Sequence, residues 1–136
     1  MMPLIFEADD LALRLPNRPG AMATLIRAFD DAGVALHGLC GVVAGELDVD
    51  HFLVDDPTAA EAAATRAGAS DTRLRRVVVV ELRRLDVDAV EVLDGIAAAG
   101  IGVDLIYLAS NGALVLGVDD MATALATLEP MSGAED

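Results

Sequence analysis

The stretch LPNRPGAMATLIRAFDDAGVAL, residues 15–36, places a Pro-Gly pair between two apolar patterns of different period. Before the pair, leucines alternate with other residues over 11–15, which is the period of a half-buried strand. After it, apolar side chains recur at helical spacing over 22–29, and Gly33 supplies a helix stop. The stretch therefore predicts a strand, a short loop and an amphipathic helix.

The chain after Gly33 continues this pattern into a six-element unit. Residues 34–43 are apolar enough for a buried strand, and 47–54 form a returning strand. A second helix is predicted from Pro57 to Ala67, because proline favours the first helical turn and the segment is rich in alanine. Residues 72–76 can extend as a fourth strand, so the predicted order is β-α-β-β-α-β.

This six-element order repeats along the chain. Aligning Gly33 with Gly100 gives an offset of 67, and apolar residues then coincide. The matched positions are Leu11, Leu13, Leu15, Leu25, Ile26, Phe29, Ala32, Val34 and Leu36 with Val78, Val80, Leu82, Val92, Leu93, Ile96, Ala99, Ile101 and Val103. Further on, Val54-Asp55-Asp56 matches Val118-Asp119-Asp120 at an offset of 64. We interpret the chain as two copies of one small unit.

The repeat predicts an α+β protein of two ferredoxin-like βαββαβ units, with antiparallel sheets and helices on one face. We assign residues 1–75 to the first domain and 76–136 to the second. The second copy ends after a helix at 121–128, because Pro130 and the polar tail do not suit a strand, so its fourth strand is missing. Residues 3–9 include an apolar run that suits a strand, and we predict that this segment fills the vacancy beside residues 77–82 of the same chain or of a partner chain.

Composition excludes several classes of partner. The chain has 9 basic and 23 acidic side chains, and this net charge of −14 would repel nucleic acid and anionic lipid. Its apolar runs are far shorter than a bilayer requires, and its N-terminus lacks a signal-peptide pattern, so we expect a cytoplasmic protein without a membrane partner. Cys40 is the single cysteine and cannot form an internal disulfide, so we expect it to fill the core.

LALRLPNRPGAMATLIRAFDDAGVALHGL, residues 11–39, resembles the ACT domain, a small amino-acid-sensing module attached to many metabolic enzymes. VVVVELRRLDVDAVEVLDGIAAAGIGVDLIYLAS, residues 77–110, resembles a second copy, so the likeness covers most of the chain and is greatest to stand-alone tandem ACT proteins. The resemblance implies a regulatory protein that holds the amino and carboxylate groups of a free amino acid between two such domains.

The chemistry of the Pro-Gly loop favours a ligand on independent grounds. Unpaired backbone N–H groups at a helix start carry partial positive charge, which attracts a carboxylate. Gly20 allows close approach, Pro19 fixes the loop, and Asn17 can cap the helix or donate a hydrogen bond. The resemblance places the ligand-binding residues at Asn17, Arg18, Pro19, Gly20, Ala21 and Met22, with Gly102, Val103 and Asp104 on the facing strand. The alternative is a turn that only needs those residue types.

The second copy departs from the ACT pattern at the equivalent loop. Residues 84–88 contain no Pro-Gly pair, and Asp86 and Asp88 would repel a carboxylate at that helix start. The ACT family often has an asparagine at the start of its second strand, where this chain has Ala35 and Gly102. We therefore predict that the first loop, and not the second, is the ligand site.

Other polar residues indicate structural roles. His37 and His51 lie on adjoining strands, but they lack the companions of a metal site, so we expect surface or interface positions, no metal and no cofactor. The acidic pairs at 55–56 and 119–120 precede helices, which predicts helix caps. The arginines concentrated within 73–84 are interpreted mainly as ion-pair partners, with anion binding as the alternative.

The sequence favours a non-enzymatic regulatory protein that binds a free amino acid and forms a homodimer, with docking to a further protein as one consequence of binding. One alternative is an interaction module whose loop has lost its ligand. The other is a small enzyme, because ferredoxin-like folds host catalysts. No nucleophile with a base, carboxylate pair or phosphate loop is visible in the sequence, so no catalytic residue is predicted.

Overall fold

The computed structural model of this protein describes residues 3–44 and 47–133. The strands are β1 (Ile5–Arg14), β2 (Leu36–Ala44), β3 (Leu47–Val54), β4 (Ser70–Glu81), β5 (Val103–Leu108) and β6 (Ala113–Val118). The helices are α1 (Ala21–Asp31), α2 (Pro57–Arg66), α3 (Leu82–Leu85), α4 (Ala89–Ala98) and α5 (Met121–Gly133), and a 3-10 turn spans Ser110–Gly112. The predicted α+β class with antiparallel strand pairing is confirmed.

The chain divides into two compact units. The first unit is Asp9–Arg75, and the second unit combines the residues up to Ala8 with those from Arg76 onward. The ranges of β1 and β4 cross these boundaries, so each of these strands supplies residues to both units. The expected division at residues 75 and 76 coincides with one boundary, and the assignment of two ACT-like domains stays a prediction.

In the first unit the strand order is β2-β3-β1-β4, and β3 runs antiparallel to both of its neighbours. Alternation along β1 and β3 directs Leu11 and Phe52, which are opposite each other in the register, to one face of the sheet. Helices α1 and α2 pack on that same face, where Phe29 meets Phe52 edge to face with ring centroids 5.4 Å apart. The three alanines of α2 in this core, Ala60, Ala63 and Ala64, are fully buried and let the helix lie close to the sheet.

In the second unit the strand order is β1-β4-β6-β5, with β6 antiparallel to β4 and β5. Its core joins these strands to α4 and α5 through Val80, Leu116, Ile96 and Leu128 among others. The segment before β1 takes part, because the Glu81 N–H donates to the Leu4 carbonyl at 2.9 Å and the Leu4 side chain is buried in this core. The N-terminal segment therefore contacts this core beside β4, and its role as the missing fourth strand stays a prediction.

The ends of α1 and α4 show the same hydrogen bonds at the offset of 67. The Val34 N–H donates to Phe29 O at 2.9 Å, and the Ile101 N–H donates to Ile96 O at 3.2 Å. Gly33 and Gly100 close the two helices with φ values of 73° and 75°, a left-handed conformation that glycine adopts without strain. The repeated sequence pattern thus corresponds to repeated local geometry.

Two features differ from the sequence expectation. The predicted strand at 72–76 and the strand that opens the second copy are one continuous strand, β4. In the same way, β1 contains most of the segments 3–9 and 11–15 in one strand. A short helix, α3, replaces the expected loop after residue 82, because Leu82 and Leu85 lie three residues apart on one face and Leu85 is buried in the second core. The two arginines between them are exposed. As residue types they predict a loop and give no sign of this helix.

Candidate functional site

The Pro-Gly loop forms an exposed turn before α1. The Arg18 N–H donates to Pro16 O at 2.9 Å, and the Ala21 N–H returns to Arg18 O at 3.3 Å. Gly20 has a φ of 86°, and a Cβ at this position would find no atom within 4 Å. Glycine is thus required by its backbone conformation, and the space beside it is open.

The start of α1 carries backbone donors that no side chain caps. The first bond of the helical pattern runs from the Thr24 N–H to Gly20 O at 2.9 Å, so the N–H groups of Met22 and Ala23 precede any intrahelical acceptor. The first turn contains no acidic residue. These two donors and the positive end of the helix dipole form a local attraction for a carboxylate.

The side chain of Asn17 does not cap α1, although the sequence allows this role. Because Gly20, with its left-handed backbone, is the residue at the N-cap position, Asn17 lies three residues before it. Asn17, Arg18 and Pro19 are all exposed. Their side chains are therefore accessible from solvent.

Two cavities adjoin the loop within the first unit. The smaller, of about 140 Å³, is lined by the loop itself together with Thr24 and by Ala67 after α2. The larger, of about 450 Å³, shares Gly20, Thr24 and Ala67 with it and extends between α1 and the end of α2. Both are open depressions, and the volume of the larger one lies within the range of small-molecule sites.

The predicted facing strand belongs to the second unit, at the start of β5. The Gly102 N–H donates to Asp119 Oδ1 at 3.1 Å, and a Cβ at this glycine would meet Asp119 Oδ2 at 2.8 Å. Val103 pairs with Val118, and Asp104 sits at an irregularity in the register between β5 and β6. The part that Gly102, Val103 and Asp104 play in ligand binding stays a prediction.

Sequence reasoning missed the role of Asp119 and of its counterpart Asp55. The Asp55 carboxylate accepts the Ala35 N–H at 3.0 Å, as Asp119 accepts the N–H of Gly102. Each aspartate thus ties the end of one strand to the residue that leads into the neighbouring strand. The repeated Asp-Asp pairs are a visible signal, but the pattern alone predicts helix caps for both members of each pair.

The second aspartate of each pair does cap a helix. Asp56 accepts the Ala59 N–H at 3.1 Å, and Asp120 accepts the Thr123 N–H at 3.1 Å. Hydrogen bonds from the Thr123 hydroxyl and backbone lower the pKa of the Asp120 carboxyl. At α2 and α5 these carboxylates accept hydrogen bonds from backbone N–H groups of the first helical turn. The corresponding N–H groups of α1 have no side-chain acceptor.

The start of α4 differs from the start of α1 in that a side chain caps it. The Asp88 carboxylate caps α4 by accepting the Glu91 N–H at 3.0 Å. Asp86, with a φ of 55°, ends the short helix α3 just before it. An incoming carboxylate at α4 would meet a negative charge that already holds the helix donors.

The two histidines have different environments, both within the first unit. His37 is exposed on β2, whereas His51 Nδ1 lies 2.8 Å from Asp10 Oδ2. The hydrogen bond with Asp10 raises the pKa of His51 against the opposing effect of burial, and Asp10 itself is 1% exposed. In the part of the chain that the structure describes, no three His, Cys, Asp or Glu side chains group as a metal site.

One arginine of the predicted cluster, Arg76, forms an ion pair, and so does Arg14, which lies outside that cluster. Arg76 Nε lies 3.8 Å from Glu7 Oε1, and Arg14 Nη1 lies 3.5 Å from Asp71 Oδ2. Both pairs are exposed, where such contacts contribute little stability.

Within residues 3–44 and 47–133, no helix has the length and apolar character needed to cross a membrane.

No protein-family model matches the sequence, and no curated protein matches it. Solved structures do match. Protein BT0572 from Bacteroides thetaiotaomicron is similar with a TM-score of 0.75 and 19% identity, over 94% of this chain and 90% of that chain. The ligand-free regulatory subunit of aspartate kinase from Thermus thermophilus has a TM-score of 0.65 and 17% identity, over 95% of each chain.

A third similar structure is aspartokinase III from E. coli in complex with lysine and aspartate. Its TM-score is 0.57 at 11% identity, and the match covers 96% of this chain but 32% of that chain. At these identities the likeness concerns the fold. It confirms, for the fold, the resemblance to ACT-type regulatory domains.

Proposed function

We propose that this chain is a non-enzymatic regulatory protein of two tandem ACT-like units that binds a free amino acid. The binding loop is Asn17–Met22, and Gly102–Asp104 form the facing strand. The observation that carries the proposal is the start of α1, where uncapped backbone donors lie beside an open cavity. The fold shared with a regulatory subunit of aspartate kinase supports a regulatory role rather than a catalytic one.

The ligand's carboxylate accepts hydrogen bonds from the Met22 and Ala23 N–H groups, and its remaining atoms lie over Gly20. Because Gly20 has no side chain, the ligand approaches the backbone directly. We expect one binding loop per chain, because at α4 the Asp88 carboxylate already accepts the hydrogen bond that a ligand carboxylate would accept at α1.

A thermal-shift screen against the twenty amino acids tests the proposal. A ligand that binds only the folded state stabilises it by about 2.7 kcal/mol at a concentration of about 100 Kd. We expect at least one amino acid to raise the Tm in a concentration-dependent way. A flat response to all twenty would contradict amino-acid binding and favour an interaction module.

The loop is tested by Gly20→Val with Gly33→Val as its matched control. Both glycines have positive φ, and the space that a Cβ would enter is open at both, so valine strains the backbone similarly at the two ends of α1. Only Gly20→Val should remove the ligand-dependent shift. Equal loss in both variants would show an effect of strain and not of the loop.

We also propose that two chains associate, since apolar side chains are exposed on β2 and β5. Leu39 is 54% exposed on β2, and Leu108 is 63% exposed on β5. These strands have a neighbour on one side only within their units, which leaves backbone groups unpaired. Light scattering at micromolar concentration should give the mass of a dimer; a monomer alone would contradict the association.

A further inference from the structure

A charged groove lies between α1 and the end of α2 in the first unit. It is the larger cavity beside the loop, and it shares Gly20, Thr24 and Ala67 with the smaller one. Two arginines line it, Arg27 from α1 and Arg66 from the last position of α2. Gly20 of the loop and the two arginines thus border the same depression.

This groove has more basic than acidic side chains, whereas the chain as a whole is acidic. The protein has 23 acidic and 9 basic side chains, yet Arg27 and Arg66 face a single carboxylate, that of Asp31, in the groove. Among the described residues, neither arginine forms an ion pair within 4.0 Å, including with Asp31 one helical turn from Arg27. Arg66 also complements the negative end of the α2 dipole, but that role leaves most of its donors unused.

The length of α1 sets the distance between the loop and the arginines. Arg27 is seven residues beyond Gly20, which is about 10 Å along a helix axis. Thr24 and Arg27 both line this groove and lie three residues apart on one face of α1, so Arg27 is on the helix face that leads back to the loop. A small molecule with its carboxylate at the start of α1 would therefore place its side chain along the helix face that carries Arg27.

We propose that this groove binds a second anionic group of the ligand, so that the site selects an acidic amino acid. The inference rests on the proposed amino-acid site at the loop. The side-chain carboxylate pairs with the planar guanidinium groups of Arg27 and Arg66, which accept such a group in two-point contacts. Asp31 in the same groove disfavours a ligand that offers more than one negative charge there.

The experiment compares L-glutamate with L-glutamine, which has the same shape without the charge. Isothermal titration at matched ionic strength should show glutamate binding about tenfold more tightly or better, as expected for charge-assisted hydrogen bonds. Arg27→Gln and Arg66→Gln should each reduce the glutamate affinity toward that of glutamine. Arg84→Gln changes an exposed arginine of the second unit and should leave the preference unchanged.

The outcomes separate the two proposals. If glutamine binds as tightly as glutamate, or if both groove variants keep the preference for glutamate, the acidic selectivity is wrong while amino-acid binding at the loop stands. If neither compound binds but a neutral amino acid does, the groove assignment is again wrong. If none of the twenty amino acids binds, the proposed function itself fails and the groove proposal fails with it.

Discussion

The starts of α1 and α4 lie at nearly equivalent positions of the two units, yet only the start of α4 has a side chain that accepts a hydrogen bond from the helix backbone. At α1, the N-cap is Gly20 in a left-handed conformation, and no side chain reaches the helix donors. At α4, the N-cap is Asp88 in an extended conformation, and its carboxylate accepts the Glu91 N–H. The start of α4 is thus capped by a side chain of its own chain, whereas the start of α1 has no side-chain cap.

The two units also differ in how their fourth strand is supplied and in one buried pair. The first unit obtains its strand from the residues that follow α2, while Leu4 and its neighbours contribute to the second. His51 and Asp10 of the first unit correspond, at offsets of 64 and 67, to Val115 and Val77 of the second. Units with a similar core thus carry different polar chemistry.

The largest expected effect tests the origin of that fourth strand. Leu4→Ala should destabilise the second unit by about 2–5 kcal/mol, because the side chain is buried in its core and truncation leaves a cavity. Leu74→Ala, at a position that is 41% exposed on β4, is the control and should cost far less. Hydrogen exchange along residues 77–80 should accelerate only in Leu4→Ala. Equal exchange in the two variants would show that the N-terminal segment does not support this unit.

A smaller effect tests the contrast between the helix starts. Asp88→Ala should destabilise α4 by about 0.5–2 kcal/mol, because it removes the side-chain cap. Asn17→Ala should change stability by about 0.5 kcal/mol or less, since this exposed residue does not cap α1. Urea unfolding followed by circular dichroism measures both. A loss for Asn17→Ala as large as that for Asp88→Ala would mean that Asn17 caps its helix in solution.

The smallest expected effect concerns pH and the first unit alone. The Asp10 hydrogen bond raises the folded-state pKa of His51 above its usual value near 6.5. The stabilisation is therefore fully present below about pH 6.5 and is lost as pH rises through the raised pKa. Urea unfolding at about pH 5.5 and about pH 8.5 should show this decrease, and His51→Gln should remove it. A decrease of the same size in His51→Gln would assign the pH dependence to other groups.

Much of the local structure was accessible from sequence patterns. The helix over 21–31 and its end at Gly33 follow from apolar spacing and a glycine stop, and both recur at the offset of 67. The helix α3 was not predicted, because four residues with two arginines show too short a pattern against a loop. The joining of segments 3–9 and 11–15 into one strand was also missed, since alternation does not show where a strand passes from one unit to the other.

The candidate site was only partly accessible in the same way. The Pro-Gly loop was recognisable from its residues, whereas the groove with Arg27 and Arg66 was not, because these arginines are 39 positions apart and belong to different helices. The pair of His51 and Asp10 was missed for a similar reason. Its members lie on β3 and β1, which become neighbours only when the sheet forms.

The sequence by itself determined most of the helices and strands, the repeated apolar pattern and the glycine turn at the start of α1. These features depend on apolar period, helix stops and left-handed turns, which involve residues close along the chain. The tertiary structure decided which carboxylates reach a backbone donor and which arginines share a groove. Asp55 and Asp119 bind N–H groups that are 20 and 17 residues distant, and such contacts depend on the register between strands. Whether a helix start is capped depends on residues within one turn of it. Which side chains of other elements lie beside that start depends on tertiary packing.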